Sequence, residues 1–347
     1  MTAVAAPPAA AADPPQKAPR RRSRRATARW IAGRFAEYGI VVALALVINF
    51  ALPRALPGGP LRTLGGVGQT GVLSPEDRRR VLSEYGLDQP LWQQFLTYLR
   101  NVATLDLGTS FADGQPVSDA IGQALPWTLL LVGTSLVLIA LAGIALGAVA
   151  AVRRRRGKGN GLLAMSLLLE SIPSFWLGML FIAFFGVNLG ILPVFGVGDG
   201  WDDPAGLAKY LVLPVLVLTL TGLGQLFLIT RSSMLSVLAA DHIEHARARG
   251  VPRARLIRRH ALRPALLPVH TALLMEVGFL VGGALVVETV FAYPGLGRVT
   301  FDAIQAKDFP VMQGTFLVLT CAVVAMNALA DATYAWIDPR VRTGGAA

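Results

Sequence analysis

The side chains best suited to chemistry are four histidines, and all four fall close together: His242, His245, His260 and His270. His242 and His245 are three residues apart, which would put two imidazoles on one helix face. No third ligand follows at a spacing that closes a metal site, so a solvated face is the simpler reading. Gly108-Thr109-Ser110-Phe111 has the look of a turn presenting a serine nucleophile, but it lacks the closing glycine. The Gly157-Lys158 pair is followed by Gly159, so no phosphate-binding loop forms there. The single cysteine, Cys321, excludes an intrachain disulfide and a multi-cysteine metal centre. No catalytic residue, metal ligand or cofactor is expected. What remains are acids in apolar surroundings: Glu276, Glu288 and Asp331, with Glu170 at the end of another apolar run.

The elements that carry those acids are membrane spans. The chain has 347 residues, is 54% hydrophobic and only 15% charged, against roughly 25% charged in a soluble domain. Its mean hydropathy is +0.54, more apolar surface than one water-facing core can hold. Six stretches reach the ~20 residues needed to cross the hydrocarbon core. They lie at about 37–57, 125–152, 162–187, 210–230, 265–290 and 309–335. Glu276 and Glu288 interrupt the fifth, and Asp331 lies in the sixth. Ionisable groups at such depth are costly and stand as candidates for the translocation path.

Charge sets the orientation. With the N-terminus inside, the cytoplasmic segments carry 23 of the 32 Lys+Arg, which follows the positive-inside tendency. The net charge of +11 then divides into about +18 inside, −3 outside and −4 from the span acids, so it is topological information and not a nucleic-acid footprint. The expected organisation is a disordered basic Ala/Pro-rich tail (1–36), a first span (37–57) and an external helical segment (58–124). A five-helix core (125–337) follows, with a cytoplasmic loop at 231–264, then a C-terminal tail (338–347), both termini being cytoplasmic. In the external segment, Ser74-Pro75-Glu76-Asp77 reads as a helix start: a cap, a proline in the first turn, and acids on the positive end.

The loop between the fourth and fifth spans is unusual. Asp241, Glu244, Ala246, Arg247, Ala248 and Arg249 fall on a short helix with acids first and arginines last, matching its dipole. Gly250 supplies a left-handed cap, and Pro252 begins a second helix over Arg253–His260. Seven arginines and no lysine lie between Asp241 and Arg263. An interfacial helix held by anionic lipid would need no Gly-Pro elbow. Nucleic-acid binding would need aromatics among the arginines. A docking lever for a cytoplasmic partner uses every feature, with Ala246, Ala248 and Gly250 permitting close backbone approach.

Here the chain resembles the permease signature of binding-protein-dependent ABC importers. Ala246 and Gly250 stand at its alanine and glycine, and Pro268 at its distal proline. Asp241-His242-Ile243-Glu244-His245-Ala246-Arg247-Ala248-Arg249-Gly250 is similar to the dipeptide/oligopeptide subfamily. Further matches run in order: Tyr85 to Pro90, Leu105 to Ser110, Ser171-Ile172-Pro173-Ser174-Phe175, Val287 to Gly297, and Asp338 to Arg342. His242, Glu244 and His245 depart from the usual Tyr, Arg and Thr, and Val251-Pro252 from Leu-Ser.

The resemblance implies an all-α polytopic protein of six transmembrane helices, with the ABC type I importer permease fold and a cytoplasmic coupling helix. It implies a bacterial inner-membrane location, of the first of two permease types. It also implies four kinds of partner: a second homologous permease, two ATP-binding cassette ATPases, an extracytoplasmic substrate-binding protein, and membrane lipid. ATPase coupling would fall to Asp241, Glu244, Ala246, Arg247, Ala248, Arg249 and Gly250. Di- and oligopeptides are the substrates it suggests; nickel, glutathione or another small solute are alternatives on the same architecture. A membrane enzyme would need a nucleophile or metal constellation at depth, and a secondary carrier would leave the Gly250 elbow without a purpose.

Overall fold

The computed structural model describes residues 24–55, 76, 83, 87–153 and 158–337. Among them the fold is all helical, and the one extended pairing is an isolated bridge between Thr109 and Pro116. The helices are α1 (Arg24–Ala55), α2 (Leu91–Thr104), α3 (Val117–Val152), α4 (Lys158–Glu170), α5 (Ser174–Phe181), α6 (Pro204–Leu238), α7 (Asp241–Ala248), α8 (Arg253–Arg255), α9 (Leu262–Val290), α10 (Leu296–Ala306) and α11 (Phe309–Ile337).

Among the described residues, four helices are long and apolar enough to cross a membrane: 36–55 of α1, α3, α6, and 309–333 of α11. Two bent pairs complete six spans if each counts as one, 161–170 with 174–188 at 97°, and 253–278 with 280–290 at 44°. The third span is therefore not the continuous helix expected from 162 to 187. Pro173 lacks an N–H and drives the residue before it out of the helical region, so the helix stops and restarts. The Ser171 hydroxyl and N–H both donate to the Leu167 carbonyl, at 2.8 and 3.1 Å, which closes the last turn before the break.

Other boundaries shift too. The expected tail ends earlier than residue 36, because α1 is already helical at Arg24; residues 1–23 lie outside the described part of the chain. The helix start at Ser74-Pro75-Glu76-Asp77 also lies outside it, apart from the helical Glu76. The α6 helix begins with Asp203 as its cap, whose carboxylate accepts from the Gly206 N–H at 3.0 Å, followed by Pro204. The second loop helix is a three-residue α8 that opens into a wider π-turn over Leu256–Ala261 and runs on into α9. Between the fifth and sixth spans, Leu296–Ala306 forms a further amphipathic helix, α10.

Close packing of α3 on α6 depends on small residues. A methyl on Gly147 would lie 2.7 Å from Thr230 Cβ and 2.8 Å from the Phe227 carbonyl oxygen, and one on Gly143 would lie 3.1 Å from Leu226. Gly143 and Gly147 are four apart and let the backbones meet, as small-residue seams do in membranes. Around this seam the core gathers Leu131 and Ile139 of α3, Leu213, Leu218 and Leu226 of α6, and Leu280 and Val287 of α9, with Tyr293 beyond. By contrast α1 packs mainly on α11, and only 11% of its span is buried.

Candidate functional site: the α7 elbow and the buried acids

The α7 helix is anchored by two residues one turn apart. Ile243 and Ala246 are each 1% exposed. They sit in an apolar cluster with Ala151, Met234, Leu256, Ala261 and Ala265, contributed by α3, α6, the π-turn and α9. At the base, the Ser233 hydroxyl donates to the Ala265 carbonyl at 3.0 Å, tying α6 to α9. Ala246 is thus small because it is packed inward. A side chain three residues from Ile243 shares its buried face.

The other expected residues do share one exposed surface. Asp241, Glu244, Arg247, Ala248, Arg249 and Gly250 are all exposed. The acids lie in the first turn and the basic groups in the last, as the helix dipole favours. His245 Nδ1 lies 2.8 Å from the Asp241 carbonyl oxygen, which holds that imidazole against its own helix. Gly250 has φ +77°, where a side chain is strained. Its N–H donates to Arg247 O at 3.0 Å, and Val251 N–H to Ala246 O at 3.2 Å, which closes the helix and turns the chain. All seven arginines between residues 241 and 263 are exposed. Among the described residues none of them forms an ion pair.

The span acids fall into three different settings. Glu288, 0% exposed, accepts from Thr128 Oγ1 at 2.7 Å, Gly297 N–H at 2.7 Å and Arg298 N–H at 3.3 Å. Its carboxylate therefore caps the start of α10, and Thr128 in turn accepts from Leu296 N–H at 2.7 Å. A methyl on Gly295 or Gly297 would collide with it. Asp331 accepts from the Tyr38 hydroxyl at 2.6 Å and lies 3.2 Å from Arg34, so it joins α11 to α1. Both acids thus clasp helices together.

Glu276 differs. It is 5% exposed, and no hydrogen bond to it occurs among the described residues. Room for it comes from Gly222 of α6, where a methyl would lie 2.9 Å from Glu276 Oε1 and 2.7 Å from Ile139 Cδ1. Glu170 reaches the same helix two residues on, where a methyl on Gly224 would lie 2.5 Å from Glu170 Oε2. Glu170 is exposed, and among the described residues no cation pairs with it. Nearby, on α3 and α6, the hydroxyls of Ser135 and Thr219 are buried without partners among the described residues.

No nucleophilic site assembles at Ser110. It is 6% exposed and donates its hydroxyl to Asp308, which also accepts from Ala112 N–H at 3.1 Å. This pair fixes the turn at Ser110 to the start of α11. Among the described residues no group of three or more His, Cys, Asp or Glu side chains could hold a metal ion.

Residues 143–343 match the family described as "Binding-protein-dependent transport system inner membrane component". A Brucella abortus (strain 2308) protein named as a peptide transport system permease is 40% identical, covering 90% of this chain and 98% of its own. The dipeptide transport system permease protein DppB of Escherichia coli (strain K12) is 35% identical, covering 85% and 93%. In fold, the chain is like one from an inward-facing structure of the MetNI methionine ABC transporter, with TM-score 0.53 at 19% identity, over 63% of this chain and 96% of that one. Helical content, span pattern, loop signature and relatives converge: the chain belongs to the family of binding-protein-dependent transport system inner membrane components.

Proposed function

We propose that this chain is a permease subunit of an ATP-driven importer of di- and oligopeptides. It forms half of the pathway with a second, related permease, and hydrolyses nothing itself. Relatives named for peptide and dipeptide transport support the substrate class. Both termini and the α7 elbow lie in the cytoplasm, the assignment that puts most positive charge inside. A substrate-binding protein docks on the opposite face.

The observation that carries the mechanism is the α7 elbow. Ile243 and Ala246 root it in α3, α6 and α9, while Asp241, Glu244, Arg247, Ala248, Arg249 and Gly250 face outward. A short helix so rooted transmits displacement instead of absorbing it. One of two ATPase subunits grips the exposed ridge, and closure of the ATPases moves α6 and α9 together. Alternating access follows if ATP and loaded binding protein favour different arrangements of the spans.

The test is co-purification with the neighbouring subunits. Ala248→Asp and Gly250→Asp should lose the ATPases while the chain stays folded. Ala246→Asp, which buries a charge, should instead destabilise the loop. Transport by the isolated chain in ATP-free vesicles would sink the proposal. On the path itself, Glu276 is the acid that meets a peptide's ammonium group. Glu276→Gln should slow uptake of peptides with a free amino terminus and leave the assembly intact; an unchanged rate and preference would remove it from the path.

A further inference from the structure

Two helices run from the α7 elbow to the opposite end of the bundle, and they are joined at both places. On α3, Thr128 and Ala151 are 23 positions apart; on α9, Ala265 and Glu288 are also 23 apart. Each interval is about 35 Å of helix, enough to cross a hydrocarbon core of about 30 Å. At one end Ala151 and Ala265 wall the buried cluster that roots Ile243 and Ala246. At the other, Thr128 Oγ1 donates to Glu288 Oε1 at 2.7 Å. The two helices form a closed frame, with α6 packed on both.

The far joint is a buried knot. Thr128 is 5% and Glu288 0% exposed within this one chain, so its own helices cover them. Besides Glu288, Thr128 Oγ1 meets the Leu296 N–H at 2.7 Å, and the Glu288 carboxylate accepts from the Gly297 N–H at 2.7 Å. One residue from Thr128, the Trp127 carbonyl accepts from the Tyr293 hydroxyl at 3.0 Å. The first turn of α10 is thus held by a hydroxyl from α3 and a carboxylate from α9. Sliding α3 along α9 would break charge-assisted bonds inside the protein, where they are costly to lose. A displacement of the α7 cluster that shifts one side of the frame is therefore passed on to α10.

We propose that Thr128 couples α10 to the α7 elbow. Its hydroxyl, shared by Glu288 and the Leu296 N–H, carries the effect of a binding protein seated on the far face to the ATPases. This role rests on the reading of the chain as a permease of an ATP-driven importer. By reciprocity, whatever the ATPases do to α7 changes affinity at the far face by the same factor.

The test uses the intact importer in nanodiscs and compares ATP hydrolysis with and without the binding protein purified with its own cargo. Thr128→Val keeps the shape and removes the hydroxyl. It should lower the stimulation about fivefold, the low end of coupling between distant sites, with basal hydrolysis unchanged. Thr128→Ser, which keeps the hydroxyl, should restore it. Tyr293→Phe is a milder loosening that leaves Glu288 its three donors. It should lower the stimulation about twofold, the low end for one neutral hydrogen bond. Three results would overturn the proposal: parental stimulation in Thr128→Val and Tyr293→Phe, a Thr128→Ser variant as weak as Thr128→Val, or basal hydrolysis falling in step with the stimulated rate. A parent assembly that hydrolyses no ATP would instead remove the importer reading, and this role with it.

Discussion

Two carboxylates on α9, twelve residues apart, show how differently burial can be used. Glu288 is sealed in and meets three donors; Glu276 is nearly as buried and meets none among the described residues. The first anchors the start of α10 to α3 and α9. The second occupies space that Gly222 leaves open, with Glu170 approaching the same helix. Depth in the membrane therefore does not mark a functional acid. What separates these two is the hydrogen-bond partners that each finds among the described residues.

The largest effect should come from Glu288→Ala. It leaves two backbone N–H groups and the Thr128 hydroxyl unsatisfied, at a cost of about 4 kcal/mol, seen as a lowered melting temperature in detergent. A stability within error of the parent chain would erase the contrast with Glu276. Gly297→Ala tests the same clamp by crowding, since the added methyl would lie 2.3 Å from Leu285 Cα. It should cost about 2 kcal/mol.

Glu276→Leu should move the other way. Removing a buried polar group without partners should raise stability by about 1–2 kcal/mol while impairing peptide uptake. A loss of stability comparable to that of Glu288→Ala would mean that Glu276 is structural. Asp331→Asn should have the smallest effect, under about 1 kcal/mol, because its ion pair with Arg34 is part-exposed.

Much of this arrangement was legible in the chain. The six apolar runs, the exposed arginines and the Gly250 elbow follow from composition and turn chemistry. The break at Pro173 was not, because proline alone does not predict it: Pro126, Pro214 and Pro268 all sit inside continuous helices. The inward face of Ala246 could have been read from its spacing to Ile243; the small side chain suggested close approach but not from which side. Glu288 could not be told from Glu276 by type or depth. Its partners include Thr128, 160 positions earlier, and that contact exists only once the helices pack. The glycines at 295 and 297 were visible, but the carboxylate they make room for was not.

The 97° bend between Glu170 and Ser174 carries a consequence for hydration. Segments of ten and fifteen residues span roughly 15 and 22 Å, so neither leg crosses the bilayer core alone. Backbone that leaves the helix at membrane depth cannot face lipid; it must be covered by protein or reached by solvent. Glu170 is exposed at that corner, and a carboxylate is the last group to tolerate acyl chains. The corner of the third span therefore calls for cover from a neighbouring chain or for contact with solvent.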